Sequence, residues 1–311
     1  MKTKRVLVTG ASGFVGRPLV AALQRAGYAV RAMTRRQVTF PEGIETVIVG
    51  DLAALTDWSE PLQGVDIVIH LANLAHSPTS DDSDFEFDKI NWMGTNQLAK
   101  ASKNVAVERF VFVSSVRAQA GPSAAGVLSE IDEPRPTNNY GRSKLAAEQA
   151  VRVAGVPFTI FRPVVIYGPN PKGNIRTLIK LAQSPLPMPR LKSRRSMLGI
   201  DNFTSAIIFA LNNPATIGET YLLADSRPMT IGEILKVLRK QQRRPLTTIY
   251  IPRVVIRGLL ALSGRKEFWS RIAEDLVVDT AKFESLGWRP SKDTAEGLRE
   301  MIHRDDLHAT S

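Results

Sequence analysis

The chain of 311 residues contains no cysteine, so disulfides and thiolate metal sites are excluded. Histidine is scarce. The four at positions 70, 76, 303 and 308 form no metal-ligand cluster, and a zinc enzyme is not expected. No stretch approaches the roughly 18 consecutive apolar residues of a membrane span. The opening MKTKRVLVTGASGFVG has the basic residues and apolar run of a secretory signal, but that run is short and broken by glycine. A strand explains it better, and a cytoplasmic protein without stable membrane insertion is expected. Acidic residues are fewer than basic ones, 30 against 41, for a formal net charge of +11. That balance fits plain solubility or an anionic substrate, cofactor or membrane surface. Nucleic acid is not expected, because the basic residues are scattered and no recognition motif accompanies them. Internal repeats are absent, and low complexity is limited to a few polar residues after Asp306.

What is present is the composition of a soluble globular protein, 43% hydrophobic and 23% charged, long enough for one large domain or two smaller ones. Apolar strand-like runs alternate with helical patterns through the first half. RVLVTG (5–10) precedes a helix ended by Gly27; AVRAMT (29–34), TVIVGD (46–51) and VDIVIHLA (65–72) follow. A helix around NWMGTNQLAKASKN, the strand RFVFVSS (109–115), a long helix from about Asn139 to Ala154 and the strand FTIFRPVVIYG complete the series. Strands that are apolar on both faces, alternating with helices, predict an α/β fold: a Rossmann-like, doubly wound parallel sheet. After Gly168, prolines at 169, 171, 185, 187 and 189 predict loop and short helix. The expected division is therefore a nucleotide-binding domain over 1–164, joined by a returning segment near 196–225, and a smaller substrate-binding region over 165–311. VVIRGLLALSG (254–264) fits either an amphipathic helix at a membrane or, preferably, a helix packed on the small domain.

VLVTGASGFVG places Gly10, Gly13 and Gly16 directly after a strand and at the start of a helix. Gly10 allows the tight turn, Gly13 lets the backbone approach a pyrophosphate, and Gly16 permits close helix packing. The helix N-terminus then offers N–H groups and the positive end of its dipole to phosphate. The spacing is G-x-x-G-x-x-G, and TGASGFVG resembles the extended short-chain dehydrogenase/reductases, also called the NAD-dependent epimerase/dehydratases. GDL (50–52), HLAN (70–73), NWMGTNQL (91–98) and RPVVIYGP (162–169) resemble further segments of that family in order and spacing. The resemblance implies cofactor contacts from Gly10, Ser12, Gly13, Phe14, Val15 and Gly16 of the loop. It also implies contacts from Asp51 and Leu52, from Leu71, Ala72 and Asn73, and from Pro163. It implies a homodimer formed through two helices per subunit.

NNYGRSK sets Tyr140 and Lys144 four residues apart near a helix start, so both lie on one face. A phenol with a pKa near 10 is a poor base at neutral pH, but a neighbouring ammonium favours the phenolate. Tyr140 so tuned passes a proton to or from a substrate hydroxyl. The plainer alternative is a surface pair, with Lys144 bridging to Glu148. RFVFVSS ends with Ser114 and Ser115, and the resemblance aligns Ser115 with the family's catalytic Ser/Thr, completing a Ser115–Tyr140–Lys144 triad. By the same resemblance Lys144 also holds the nicotinamide ribose. Family dehydratases carry an acid pair after the Ser/Thr; here Val116 and Arg117 stand there, so water elimination lacks its acid and base. Epimerisation and carbonyl reduction remain.

On the substrate side, KGNIRTLIKLA (172–182), with Asn174, resembles the segment covering a nucleotide-sugar. SRRSMLGID (193–201) resembles the strand whose arginine grips the diphosphate, and Arg194 aligns best, with Arg195 equally open. Arg117 is a further substrate-binding candidate. Val165 stands where UDP-glucose 4-epimerases of the family carry an asparagine. SSVRAQAG, NYGRSKLAAE and RRSM instead resemble the UDP-sugar 4-epimerases and 4-keto reductases of bacterial polysaccharide clusters. A UDP-sugar substrate, transformed at C4, is the expectation. An apolar alcohol or ketone of hydroxysteroid or flavonoid type is the second reading, and a non-catalytic cofactor sensor the third. In VRAMTRRQ (30–37), Thr34 stands where an acid would bind the ribose 2′-hydroxyl of NAD, and Arg35 and Arg36 suit a 2′-phosphate. The cofactor expected is NAD(P), with NADP favoured.

Overall fold

The computed structural model describes residues 3–50, 57–74, 87–171, 173–250 and 273–309. Asp51, Leu52 and the 254–264 stretch lie outside the described residues. Two compact units emerge. One comprises Met1–Gly121, Glu130–Pro163 and Thr204–Leu222; the other comprises Pro122–Ser129, Val164–Phe203 and Leu223–Ser311.

The first unit is built on a seven-stranded sheet. Its opening five strands are β1 (Arg5–Thr9), β2 (Ala29–Thr34), β3 (Glu45–Ile48), β4 (Ile67–His70) and β5 (Arg109–Val113). Their order is β3-β2-β1-β4-β5, followed by Phe158–Pro163 and then Glu219–Leu223 at the edge. All registers from β3 to Phe158–Pro163 are parallel. Gly218 N–H reaches the Phe158 carbonyl and Val164 N–H the Leu223 carbonyl, so the edge strand runs the same way. This is the α/β, Rossmann-like fold. Helices cover both faces, so the strands bury both sets of side chains, as in Val6, Leu7 and Val8 of β1. One face packs Leu7, Val68, Phe110 and Phe112 against Leu98, Ala147 and Val151 of the helices Gly94–Asn104 and Asn139–Val153. The strand order reverses between β1 and β4, and in such sheets ligands bind beyond the carboxyl ends of the strands at that reversal.

FTIFRPVVIYG does not form one strand as expected. Phe158–Pro163 belongs to the large sheet, whereas Val165–Tyr167 pairs in parallel with Met197–Gly199 in the second unit. Pro163 has no N–H for the ladder, and the pairing partner changes just after it. The second unit packs Ile175, Met188, Met197, Ile234, Leu235, Leu238 and Leu298 into a core of its own. The proline-rich region there carries an 11-residue helix, Gly173–Gln183, longer than the short helix expected.

Candidate active site

The glycine loop follows β1, at the sheet's point of reversal. Gly10 has φ +65°, and a Cβ there would lie 2.9 Å from the Ala72 backbone nitrogen. A Cβ on Gly16 would lie 2.2 Å from the Gly10 carbonyl oxygen. The helix α1 (Gly16–Arg25) thus starts flush against the loop, and no side chain caps it at Val15. Ser12 and Gly13 are exposed and Phe14 and Val15 half-buried, so the loop presents backbone to a ligand. This glycine-lined cradle fits a dinucleotide pyrophosphate. Leu71, Ala72 and Asn73 follow β4 beside it. Pro163 is buried at the end of its strand. Thr34 is buried at the end of β2 and its hydroxyl donates to the Arg36 carbonyl at 2.9 Å, leaving Arg35 and Arg36 exposed on the turn.

A chain of hydrogen bonds ties the loop to β4. Ala72 N–H donates to Thr9 Oγ1 (3.1 Å), which lies 2.6 Å from His70 Nδ1; His70 Nε2 lies 2.9 Å from Thr95 Oγ1. The Thr95 hydroxyl donates to the Asn91 carbonyl at 2.5 Å. Its one proton being committed, Nε2 must donate, and Nδ1 must accept from Thr9. Burial pushes His70 down to about 3, and the Lys144 cation adds to this. Unfolded, this imidazole titrates near 6.5. Between those values only the unfolded chain binds the proton, so His70 stabilises the fold fully above about pH 6.5. That contribution is lost as pH falls toward about 3, by up to about 1.4 kcal/mol per pH unit. Urea midpoints of the native protein should therefore fall over this window more steeply than those of His70→Asn. Parallel slopes would contradict the relay.

The three triad candidates lie together in the first unit. Asn138 caps the helix Asn139–Val153, its side chain accepting from Gly141 N–H at 2.9 Å. Gly141 is needed for packing: a Cβ there would lie 2.2 Å from the Arg117 carbonyl oxygen. The helix start therefore rests on the turn Val116–Ala118 that follows Ser115. Ser115 Oγ accepts from Arg117 N–H (3.1 Å), and its hydroxyl acts on the nearby Tyr140 phenol. Burial raises the Tyr140 phenol above its ordinary range, against the opposing pull of the Ser115 hydroxyl and the Arg117 cation. Gly141→Ala should displace this helix start. We expect about 1–3 kcal/mol of lost stability from overpacking, measured by urea denaturation, together with reduced turnover.

Lys144 is buried, 4.5 Å over the Phe112 ring, and Nζ donates to the Val113 carbonyl at 2.9 Å. Burial pushes it down to about 7, against the opposing pull of Glu148. Lys144 does not bridge to Glu148. That fully buried carboxylate instead accepts from Arg162 Nε (2.9 Å) and Nη2 (2.7 Å) and from Ser114 Oγ (2.6 Å). Arg162 Nη1 continues to Gln119 Oε1 at 2.9 Å. Neither the His70 relay nor this ionic cluster is apparent from motif reading. Their signal was polar residues inside apolar runs: Thr9 in VLVTG, His70 in VIHLA, Arg162 in TIFRP.

The remaining candidates belong to the second unit, Arg117 excepted. Asn174 is exposed in the first turn of Gly173–Gln183. Arg194 and Arg195 form a short strand antiparallel to Met229–Thr230. Arg194 Nε donates to Asp275 Oδ2 at 2.9 Å, and Arg195 Nη1 donates to the Pro122 carbonyl at 2.6 Å. Both guanidinium groups are thus already engaged within the chain.

Residues 6–224 match the family described as NAD dependent epimerase/dehydratase. A UDP-glucose 4-epimerase of Vibrio cholerae is 30% identical over 96% of this chain and 94% of its own length. A ceramide reductase of Caulobacter vibrioides is 32% identical over 67% of this chain, which spans 61% of that relative. Among solved structures, MoeE5 in complex with UDP-glucose and NAD is 26% identical with a TM-score of 0.79. The match covers 99% of this chain and 100% of that one. Among the described residues, no helix is long and apolar enough to cross a membrane.

Proposed function

The chain is an enzyme of the NAD dependent epimerase/dehydratase family, and on that premise we propose that it acts with NAD(P) at C4 of a UDP-sugar, by 4-epimerisation or 4-keto reduction. The observation that carries the reading is the Tyr140 phenol, set near the Ser115 hydroxyl and the Arg117 cation on a helix that also carries Lys144. So placed, Tyr140 takes the proton of a sugar hydroxyl as phenolate, and as phenol returns it to a carbonyl oxygen. Ser115, whose lone pair is engaged by Arg117 N–H, donates its own hydrogen to that oxygen. Arg117 favours the phenolate electrostatically, and Lys144 is assigned to the nicotinamide ribose. A nicotinamide, when bound, supplies the hydride acceptor and donor for the sugar carbon. Gly10 to Gly16 would hold its pyrophosphate through backbone N–H groups, with Leu71, Ala72, Asn73 and Pro163 alongside. A UDP-sugar substrate is supported by the likeness to the Vibrio cholerae epimerase and to MoeE5. Arg194, Arg195, Asn174 and Arg117 are the residues assigned to it. Asp51 and Leu52 are assigned to the adenine side on the sequence alone. The enzyme is further read as a cytoplasmic homodimer, which light scattering tests.

Purified protein should be denatured and the released nucleotide identified, then native protein assayed on UDP-glucose and UDP-N-acetylhexosamines with NADPH and NADH. Tightly held NAD without NADPH consumption means epimerisation; exchangeable NADPH consumed on a 4-keto sugar means reduction. Arg35 and Arg36 favour the second outcome. Arg35→Ala with Arg36→Ala should raise KM for NADPH about tenfold or more, each lost phosphate contact being worth about 1 kcal/mol or more, and leave NADH use unchanged. Equal effects on both cofactors would remove the preference for NADP.

A second reading, reduction of an apolar ketone, has two observations in its favour. The ceramide reductase is similar to this chain, and Arg194 and Arg195 already have partners in Asp275 and Pro122. Turnover of a hydrophobic ketone with none on any UDP-sugar would establish it.

A further inference from the structure

Charge is unevenly distributed along the chain. There is no Asp or Glu between Glu148 and Asp201, nor from Ile234 to Tyr250, yet these stretches carry fourteen of the 41 Lys and Arg residues. The rest of the chain holds all 30 acidic residues against 27 basic ones, so the net positive charge resides in the two acid-free stretches.

The fold of the second unit brings the two stretches together. Met188–Pro189 pairs in parallel with Thr248–Ile249, and Arg190 N–H donates to the Ile249 carbonyl at 3.1 Å. From inside, buried Arg239 gathers both: Nη1 donates to the Pro245 carbonyl (2.9 Å), and Nη2 to the carbonyls of Ser184 (2.8 Å) and Leu186. Residues 184–190 and 243–250 thus form one platform. Its exposed side chains include two kinds that set it apart. Leu186, Leu246, Ile249 and Tyr250 are 69%, 50%, 45% and 74% exposed, and Arg190, Arg243 and Arg244 are exposed among them.

Single exposed apolar residues need no explanation, but four on one basic platform do. An acidic macromolecule satisfies the arginines and leaves the aliphatic side chains in water. Single-stranded nucleic acid is bound through basic grooves and several stacking aromatics, and of these four only Tyr250 offers a ring, while Leu186, Leu246 and Ile249 have nothing to stack. The headgroup boundary of an anionic bilayer answers both needs, with phosphate for the guanidinium groups and acyl carbon for the apolar tips. We infer that the platform of residues 184–190 and 243–250 docks the protein peripherally on an anionic lipid surface.

The test is sedimentation of the full chain with vesicles of phosphatidylcholine alone and of phosphatidylcholine mixed with phosphatidylglycerol, at low and high salt. Binding is expected only to the anionic vesicles, and to weaken with salt. Arg243→Glu with Arg244→Glu should lower partition by about tenfold or more. Leu186→Ser with Leu246→Ser should lower it severalfold although the charge is unchanged. All four positions are exposed, so thermal melting should match the native protein. The salt series on native protein stands independently of the variants. Absence of binding, equal binding to neutral vesicles, or variants that bind like the native protein would overturn the inference. So would competition by single-stranded DNA as strong as that by vesicles, with the Leu186/Leu246 variant unaffected, because that pattern describes a polyanion site.

Discussion

Tyr140→Phe is expected to lower turnover by about 10²–10⁴-fold on whichever substrate the enzyme accepts, the range for loss of a positioned acid–base group. The substitution is narrow. Tyr140 packs edge-on against Phe87, with centroids 6.2 Å apart at 63°, and phenylalanine keeps that ring contact. What is lost is the oxygen that Ser115 and Arg117 act upon. Stability and dinucleotide binding, measured by melting and by fluorescence titration, should therefore be unchanged. Unaltered turnover would refute the assigned base, whereas lost dinucleotide binding would show that the ring serves the cofactor instead. The pH profile distinguishes further. In the direction that oxidises the alcohol, the rate should rise with pH as the phenol ionises, and any residual rate in the Phe variant should lack that limb.

The second large effect is on the fold. Glu148→Ala removes the carboxylate facing Arg162, whose side chain is 4% exposed and cannot turn to water. An uncompensated buried charge costs about 3–5 kcal/mol, a large part of the 5–15 kcal/mol that typically holds a domain together. The urea midpoint should fall accordingly with little change in slope. Glu148→Gln keeps the size and one acceptor, so its loss should be smaller. Adding Arg162→Met to Glu148→Ala should recover part of the stability by removing the stranded cation. If the double variant is no better than the single, isolation of Arg162 is not the cause. Glu148 also bears on the triad. It holds Ser114, the neighbour of Ser115, and pulls the Lys144 ammonium upward against burial. Competitive acylation of Lys144 against pH should show its titration moving below about 7 in Glu148→Gln. A purely structural role would leave that titration in place.

Much of this was legible in the sequence, and the reason is local physics. A glycine required by φ +65° after an apolar strand, or an asparagine one residue before a helix, is dictated by neighbouring backbone. The chain announces such features at fixed spacing. The strand–helix alternation fixed the parallel sheet for the same reason, because both faces of each strand had to be apolar. Helical spacing put Tyr140 and Lys144 on one face, and the family resemblance gave the pair its assigned roles.

The sequence did not reveal what depends on partners far away along the chain. The strand ending at Pro163 was read through to Gly168, because both halves are apolar and only the change of pairing partner separates them. A bridge from Lys144 to Glu148 was the plainer alternative at helical spacing; the fold gives Glu148 Arg152 at that spacing and Arg162 from a neighbouring strand, whose bidentate geometry no spacing encodes. Arg194 and Arg195 read as a pair suited to a diphosphate, and nothing in SRRSM announces the partners that Asp275 and Pro122, about 80 and 70 residues distant, give them in the fold. The sequence by itself determined the class of fold and named the residues to which its chemistry is assigned. Only the tertiary structure decided which charges meet, because burial and pairing belong to the packed chain and to no segment of it.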